Sequence, residues 1–311
     1  MPGLVPGIHG FSRAGGVQVV DGRDKPGHDT EWQCVNDSPQ CSGHPMTPVT
    51  VIPGDGPLVL GQPHVGTMIP PEVSVELNDL GRSVPDTDWW IDRLYEGIAR
   101  RTGATVVRQN LSRFVIDVNR DPSGVSLYPG QNTTTLCPTT TFDAEPIYRE
   151  GREPDPVEIA RRKQLYFAPF HAAMAAAIET TRIRHGYCVL YDCHSIRSEV
   201  PNLFPGTLPV FNIGTNGGAS CAPAIREAAI REAEASGMTF VADGRFKGGW
   251  ITRHYGAPER RVHAVQMELA QSAYMLESPP WTYDETVAAR TEAVLTRIVA
   301  AILDAAATLE P

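Results

Sequence analysis

No Cys-x-x-Cys pair occurs among the six cysteines, Cys34, Cys41, Cys137, Cys188, Cys193 and Cys221. Their scatter argues against a zinc module and against a disulfide framework, and nothing resembles a secretory signal. Free thiols in a reducing cytoplasm are therefore expected. Positive charge is also short: 27 Lys and Arg face 36 Asp and Glu, a formal net charge of −9. That balance argues against a broad nucleic-acid footprint. It does not argue against a small anionic substrate, because a local arginine cluster outweighs a distant field. No apolar run reaches the roughly 18 residues of a membrane span, so no membrane partner is expected. Gly-Lys-Ser/Thr is missing from the one Gly-rich loop, and so is the spacing of a dinucleotide fingerprint, which weakens any nucleotide reading. What is present is a 311-residue chain with 41% hydrophobic and 20% charged residues. It suffices for one large α/β domain or two smaller ones.

Residues 1–45 are rich in Gly, Pro, Asp and Ser, with no sustained period of 2 or 3.6. They are expected to be a disordered or non-native N-terminal extension. Val5-Pro6-Gly7-Ile8-His9 and the run from Asp21 to Asp29 resemble a repetitive intergenic element of some bacterial genomes, read as protein. Met46 is then the natural start, and residues 46–311 form the folded domain.

The chemistry gathers where apolar runs end. Val189-Leu190-Tyr191 runs into Asp192-Cys193-His194, as a buried parallel strand does when its polar residues emerge at the carboxyl end. Ligands bind at that end in open α/β sheets, and an Asp two residues before a His can orient the imidazole for a metal. Leu58-Val59-Leu60 likewise exits towards His64. Residues 83–88 precede a helix with apolar positions 90, 91, 94, 95 and 98. Spacing favours Thr87 or Asp88 as its N-cap; the other reading makes Asp88 or Asp86 a metal ligand.

Thr105–Val107 and Phe114–Val118 read as strands, the second running into Asn119-Arg120, where Arg120 could clamp a carboxylate. Residues 121–154 should form a long surface excursion. A helix from Glu158 to Arg184 should kink or divide at Pro169, with His171 on its surface. Gly214, Thr215 and the glycines that follow lead to a helix over Pro223–Ser236, whose start favours an anion. Met238–Ala242 reads as a strand, followed by a basic loop carrying Arg245, Lys247, Arg253 and His254. Val262–Ala270 reads as a strand with Glu268 late in it; a carboxylate among apolar residues pairs with a cation or has a task. Residues 284–308 close the chain as a helix with Val287, Val294, Ile298, Ile302 and Leu303 along one stripe. Alternating strands and helices from residue 57 predict a single α/β domain with a mainly parallel central sheet.

Such a sheet would bring His64, Asn119, Arg120, Asp192, His194 and Glu268 together. Two histidines and one carboxylate leave a zinc site open to water. Zinc acidifies that water, a glutamate takes its proton, and an arginine holds a substrate carboxylate. These parts describe hydrolysis of an N-acyl amino acid.

From about residue 56 onward the chain resembles the N-formylglutamate amidohydrolases. The matching words are Pro63-His64-Val65-Gly66, Pro85-Asp86-Thr87-Asp88-Trp89, Ser112 to Arg120, Asp192 to Ser198, Asn212-Ile213-Gly214-Thr215, Gly244 to Gly249, Ile251 to Gly256 and His263 to Gln271. The resemblance implies Zn2+-dependent conversion of N-formyl-L-glutamate and water into L-glutamate and formate, the last step of one histidine degradation route. It implies a three-layer α/β fold akin to zinc carboxypeptidases and aspartoacylase-like deacylases (phosphorylase/hydrolase-like). It also implies that Asn119 and Arg120 hold a substrate carboxylate, that Asp192-x-His194 is a metal word and that Glu268 is the general base. The related His-x-x-Glu word is broken, since Thr67 follows His64. The acid ligand is left between Asp88 and Asp86, with Glu72 and Glu76 behind them. Trp250 stands where a family histidine is expected. A small-molecule dicarboxylate substrate needs a second anion site, for which Arg197, Arg253 and the Gly214–Gly218 loop are candidates. The rivals are a zinc deacylase for another N-acyl acidic amino acid or short peptide, a thiol amidase using Cys221 or Cys193, and a non-catalytic binding module.

Overall fold

The computed structural model describes residues 18–19, 47–126, 130 and 133–309. The expected extension over residues 1–45 lies outside the described residues, apart from Gln18–Val19. Eight strands form one sheet: β1 (Gln18–Val19), β2 (Val49–Ile52), β3 (Leu58–Gln62), β4 (Thr105–Gln109), β5 (Cys188–Ile196), β6 (Phe211–Gly214), β7 (Phe240–Ala242) and β8 (Val262–Ala270), in the order β1-β2-β4-β3-β5-β8-β6-β7. The four central strands β4, β3, β5 and β8 are parallel, and the sheet reverses at β2 on one flank and β6 on the other.

Every residue of β5 and β8 is buried, so these strands read as continuous apolar runs. Their side chains still alternate between two helical layers. Val189, Tyr191 and Cys193 of β5, with Val265, Met267 and Leu269 of β8, share a core with α1 (Ile91–Thr102), α4 (Pro223–Ala235) and α6 (Glu285–Ala307). Cys188, Leu190, Val262 and Ala264 face α3 (Ala168–His185) and α5 (Trp250–Tyr255). Asp192, His194, Gln266 and Glu268 share that second parity. In α3 the buried positions 170, 173, 174, 177 and 178 keep helical spacing. In α6 the stripe includes Val294, Ile298 and Ile302, while Val287 is exposed rather than part of it. Fully burying each such aliphatic side chain stabilises the domain by about 1.5–3 kcal/mol.

The long helix divides as expected at Pro169. A first segment, α2 (Pro156–Arg162), runs through one π-helical turn at Lys163–Phe167 directly into α3, and this widened turn lies just ahead of Pro169, whose ring and missing N–H an unbroken α-helix would not accommodate. Phe114–Val118, in contrast, is not a strand. It is buried coil, because its backbone groups are satisfied from outside any ladder. Val115 N–H donates to Ser112 O and Asp117 N–H to Leu136 O. Val115 O accepts from the buried Arg162 at 3.0 Å, and Val118 O lies 2.9 Å from His171 Nε2. Among the described residues no helix is long and apolar enough to cross a membrane.

Candidate active site

The register of β5 against β8 sets His194 beside Glu268 and Asp192 beside Gln266, all on the face covered by α3 and α5. His64 arrives from the end of β3. There Gly66 passes so close to Asn110 that a Cβ would lie 2.3 Å from its carbonyl carbon, so this word needs glycine. Asp88 is tied to that turn by its own N–H, which donates to His64 O at 3.0 Å. Its carboxylate accepts from Ser195 N at 3.2 Å. The N-cap reading of Thr87 or Asp88 is therefore overturned. Trp90, with φ 62°, occupies the cap of α1 without a side-chain bond; the Thr87 hydroxyl donates to Val84 O, and Asp88 points at the histidines.

Asp88 Oδ2 lies 3.1 Å from His194 Nδ1 and 3.5 Å from His64 Nδ1. Ligand atoms at about 2.0–2.1 Å around a tetrahedral zinc stand about 3.3 Å apart, so the spacing fits a shared ion. Candidate ligand atoms of all three residues fall within 4.8 Å of one another. His64 Nδ1 and Asp88 Oδ1 are buried without a hydrogen-bond partner, as atoms awaiting a cation would be. The far nitrogens are also engaged: His64 Nε2 is hydrogen-bonded to Asp117 Oδ1 at 2.7 Å, and His194 Nε2 to Asn119 Nδ2 at 3.0 Å, with Asp192 Oδ1 3.1 Å away as a charge neighbour. Carboxylates behind metal-binding histidines orient the ring and raise its basicity.

Charge points the same way. Burial alone would raise Asp88, yet His64 and His194 hold it below the usual carboxylate range. Burial would raise Asp117 too, but Arg120, His64 and Arg113 hold it well below. Burial would lower His194, but Asp192, Asp88 and Glu268 together outweigh it and raise the imidazole well above its ordinary value. Asp88, Asp117 and Asp192 are all buried around the two histidines, with the buried Arg113 facing Asp117 and Asp88 and Arg120 3.6 Å from Asp117.

Glu268 is 7% exposed and lines a small cavity with both histidines, Asn119 and Arg120. Burial pushes its carboxyl up to about 8, against the pull of His194. Gln266 Nε2 lies 3.3 Å from Glu268 Oε2 while its Oε1 accepts from Gly249 N at 2.7 Å. Asn119 Oδ1 accepts from Ile251 N at 2.8 Å, and Arg120 is braced by Thr134 through Nε and Nη2.

Other candidates lie elsewhere. Asp86 accepts from Phe142 N at 2.7 Å and is pushed by burial up to about 6; it is not in the histidine group. Glu72 and Glu76 face Arg161 and Arg152 at the surface. Arg197 pairs with Asp143 at 2.6 Å, Arg253 Nε donates to Gly248 O, and neither lines the cavity. The Gly214–Gly218 loop is no anion cradle, because Thr215 N–H, its hydroxyl and Gly217 N–H already serve Asp243. Gly214 packs where a Cβ would lie 2.6 Å from Gly248 N. His171 is not a helix-surface residue: Tyr255 and Val118 engage its two nitrogens, and burial pushes it down to about 4. Trp250 stacks on His254. Cys193 faces the opposite core, and burial pushes the Cys221 thiol up to about 12, which disfavours a thiolate nucleophile.

Sequence reasoning missed Asp117, Arg113 and Gln266. Asp117 had a signal, an acid inside Val-Ile-Asp-Val, the same kind of signal that marked Glu268. Arg113 and Gln266 had none, since either residue type is ordinary in its setting.

The N-formylglutamate amidohydrolase family matches residues 56–275. N-formylglutamate deformylase of Pseudomonas putida is 46% identical over 248 residues, covering 79% of this chain and 92% of that protein. The deformylase of Pseudomonas aeruginosa is 46% identical over 253 residues, covering 80% and 94%. The crystal structure of N-formylglutamate amidohydrolase from Ralstonia eutropha JMP134 matches with a TM-score of 0.68 at 28% identity, over 82% of this chain and 97% of that one. The gene product Atu2144 from Agrobacterium tumefaciens shares the fold, with a TM-score of 0.65 at 20% identity over 83% and 95%. The chain belongs to the N-formylglutamate amidohydrolase family and is a hydrolase of a linear amide bond.

Proposed function

We propose that the protein hydrolyses N-formyl-L-glutamate to L-glutamate and formate, with a divalent ion held by His64, Asp88 and His194. The observation that carries this reading is the Asp88 carboxylate set between two Nδ1 atoms, with buried Glu268 beside them. Two imidazoles and one carboxylate suit zinc. The ion would polarise the formyl carbonyl and acidify a water.

The chain's own groups do the rest. Asp117 and Asp192 fix the two rings from behind. Arg113 bridges Asp117 at 2.8 Å and Asp88 at 3.5 Å and helps keep both ionised. Glu268 takes a proton from the attacking water as its oxygen adds to the formyl carbon. It returns that proton to the glutamate nitrogen as the C–N bond breaks. Gln266 holds the carboxylate in place meanwhile. Arg120, braced by Thr134 and backed by Asn119, offers a guanidinium to one substrate carboxylate. The same reading makes the reaction the last step of a histidine degradation route.

Substrate choice is tested by comparing N-formyl-L-glutamate with N-formyl-L-aspartate, N-acetyl-L-glutamate and short formyl peptides. The expected outcome is a kcat/KM for N-formyl-L-glutamate at least about tenfold above every competitor, a difference of about 1.4 kcal/mol. A better rate on another N-acyl compound would replace this reading with a deacylase of that substrate.

A further inference from the structure

We propose that Arg245 is the specificity-determining residue for the substrate's side-chain carboxylate. The proposal rests on the dicarboxylate reading above and goes beyond it by naming the second anion site. A glutamate derivative enters this cavity with two negative charges, and each must meet a cation or be left desolvated at high cost. Among the described residues three arginines line the cavity: Arg113, Arg120 and Arg245. Arg113 is already committed, bound to Asp117 and facing Asp88 behind the histidines. Arg120 stands with Asn119 and serves the first carboxylate. Arg245 is the third cation, and it arrives on a different segment, the loop between β7 and α5.

Its placement suits a fixed clamp. Arg245 Nε donates to Leu203 O at 3.0 Å, and its guanidinium carbon lies 5.4 Å from the centre of the Phe246 ring. A guanidinium is a planar fork whose N–H groups match a carboxylate in bidentate geometry. Phe142, Ile196, Leu203 and Phe246 make the adjoining wall apolar. That wall suits the two methylene groups of a glutamate side chain, and it keeps the dielectric low around the pair. Arg197 and Arg253, the cations expected from the sequence, lie off the cavity and cannot do this.

A site built around a charge pair should reject the neutral isostere. The test therefore uses N-formyl-L-glutamate and N-formyl-L-glutamine, which have the same shape and differ in one charge. Wild type should prefer the glutamate compound by about 100-fold in kcat/KM. Arg245→Met should raise KM for N-formyl-L-glutamate by about 30-fold or more, leave kcat/KM for N-formyl-L-glutamine within about threefold, and so collapse the preference. Arg245→Lys should raise the same KM by about tenfold, because it keeps charge but loses the fork. Turnover of the glutamine compound by the Met variant shows that its site is intact. If Arg245→Met fails to fold, Arg245→Lys decides alone: a KM for N-formyl-L-glutamate unchanged from wild type overturns the proposal. So does a folded Met variant that keeps the wild-type preference, or one that loses both substrates in equal proportion. Failure of the underlying reading is distinct, because it shows in wild type itself, as no turnover of N-formyl-L-glutamate or no preference for it.

Discussion

On the far side of the ring His64 bonds to Asp117 and His194 bonds to Asn119 beside the Asp192 carboxylate, and each turns Nδ1 towards Asp88. Neither acid lies in the candidate ligand group, yet both decide where the ligand atoms point. Glu268 is different in kind. It stays out of the group, burial raises its carboxyl, and Gln266 Nε2 approaches it only at 3.3 Å. That is the environment of a proton carrier rather than of a ligand. Glu268→Gln keeps the shape and an oxygen for Gln266 to reach. It should leave metal content unchanged and lower kcat by about 100-fold or more. Metal analysis and steady-state kinetics on the same preparation check this, and a kcat within tenfold of wild type would remove Glu268 from the base role. At this scale the sequence was legible wherever a charge interrupted an apolar run, as at Asp192 and Glu268. Asp88 was less legible, because an acid before a helix serves as a cap far more often than as a ligand. Only its contact with residues about a hundred positions away separates the two readings.

The elements turn those residues into a site. One register, β5 on β8, aligns Asp192 with Gln266 and His194 with Glu268, so a slip of β5 by one residue would send Asp192 and His194 into the opposite core, away from Gln266 and Glu268. The start of α5 is as tightly set. Gly249 lies against Asn119, and a Cβ there would come 2.4 Å from Asn119 Nδ2. Gly249→Ala should displace Asn119 from His194 and from Ile251 N, lowering kcat/KM by about tenfold or more while the fold persists. Kinetics paired with a thermal melt check it, and unchanged kcat/KM would show that the Asn119 contact is dispensable. Strands β3, β5 and β8 were legible because parallel strands buried on both faces read as apolar runs. Phe114–Val118 has the same composition and is coil, since Arg162 and His171 supply its backbone partners from distant helices. No local period records such partners.

For the whole molecule, the alternation of strand and helix gave the layered architecture, and the strand-exit residues His64, His194 and Glu268 meet in one cavity. The reversals at β2 and β6 were not legible, because an apolar run does not state its direction. The direction matters here: antiparallel pairing sets Asn212 opposite Glu268, and the Asn212 side-chain amide donates to Glu268 O at 3.0 Å, fixing the strand that carries Glu268. Three arms of the chain, the β3 exit, the loop before α1 and the end of β5, meet only in the completed sheet, and the candidate ligand group forms only there. The measurement that tests this most directly is formate release from N-formyl-L-glutamate by chelator-stripped protein, with zinc, cobalt or iron titrated back and metal content followed in parallel. Activity should fall below about 1% on stripping and return in proportion to one equivalent of divalent ion per chain, with His194→Ala neither binding the ion nor recovering. Full turnover by protein shown to contain no metal, or by His194→Ala, would contradict the account.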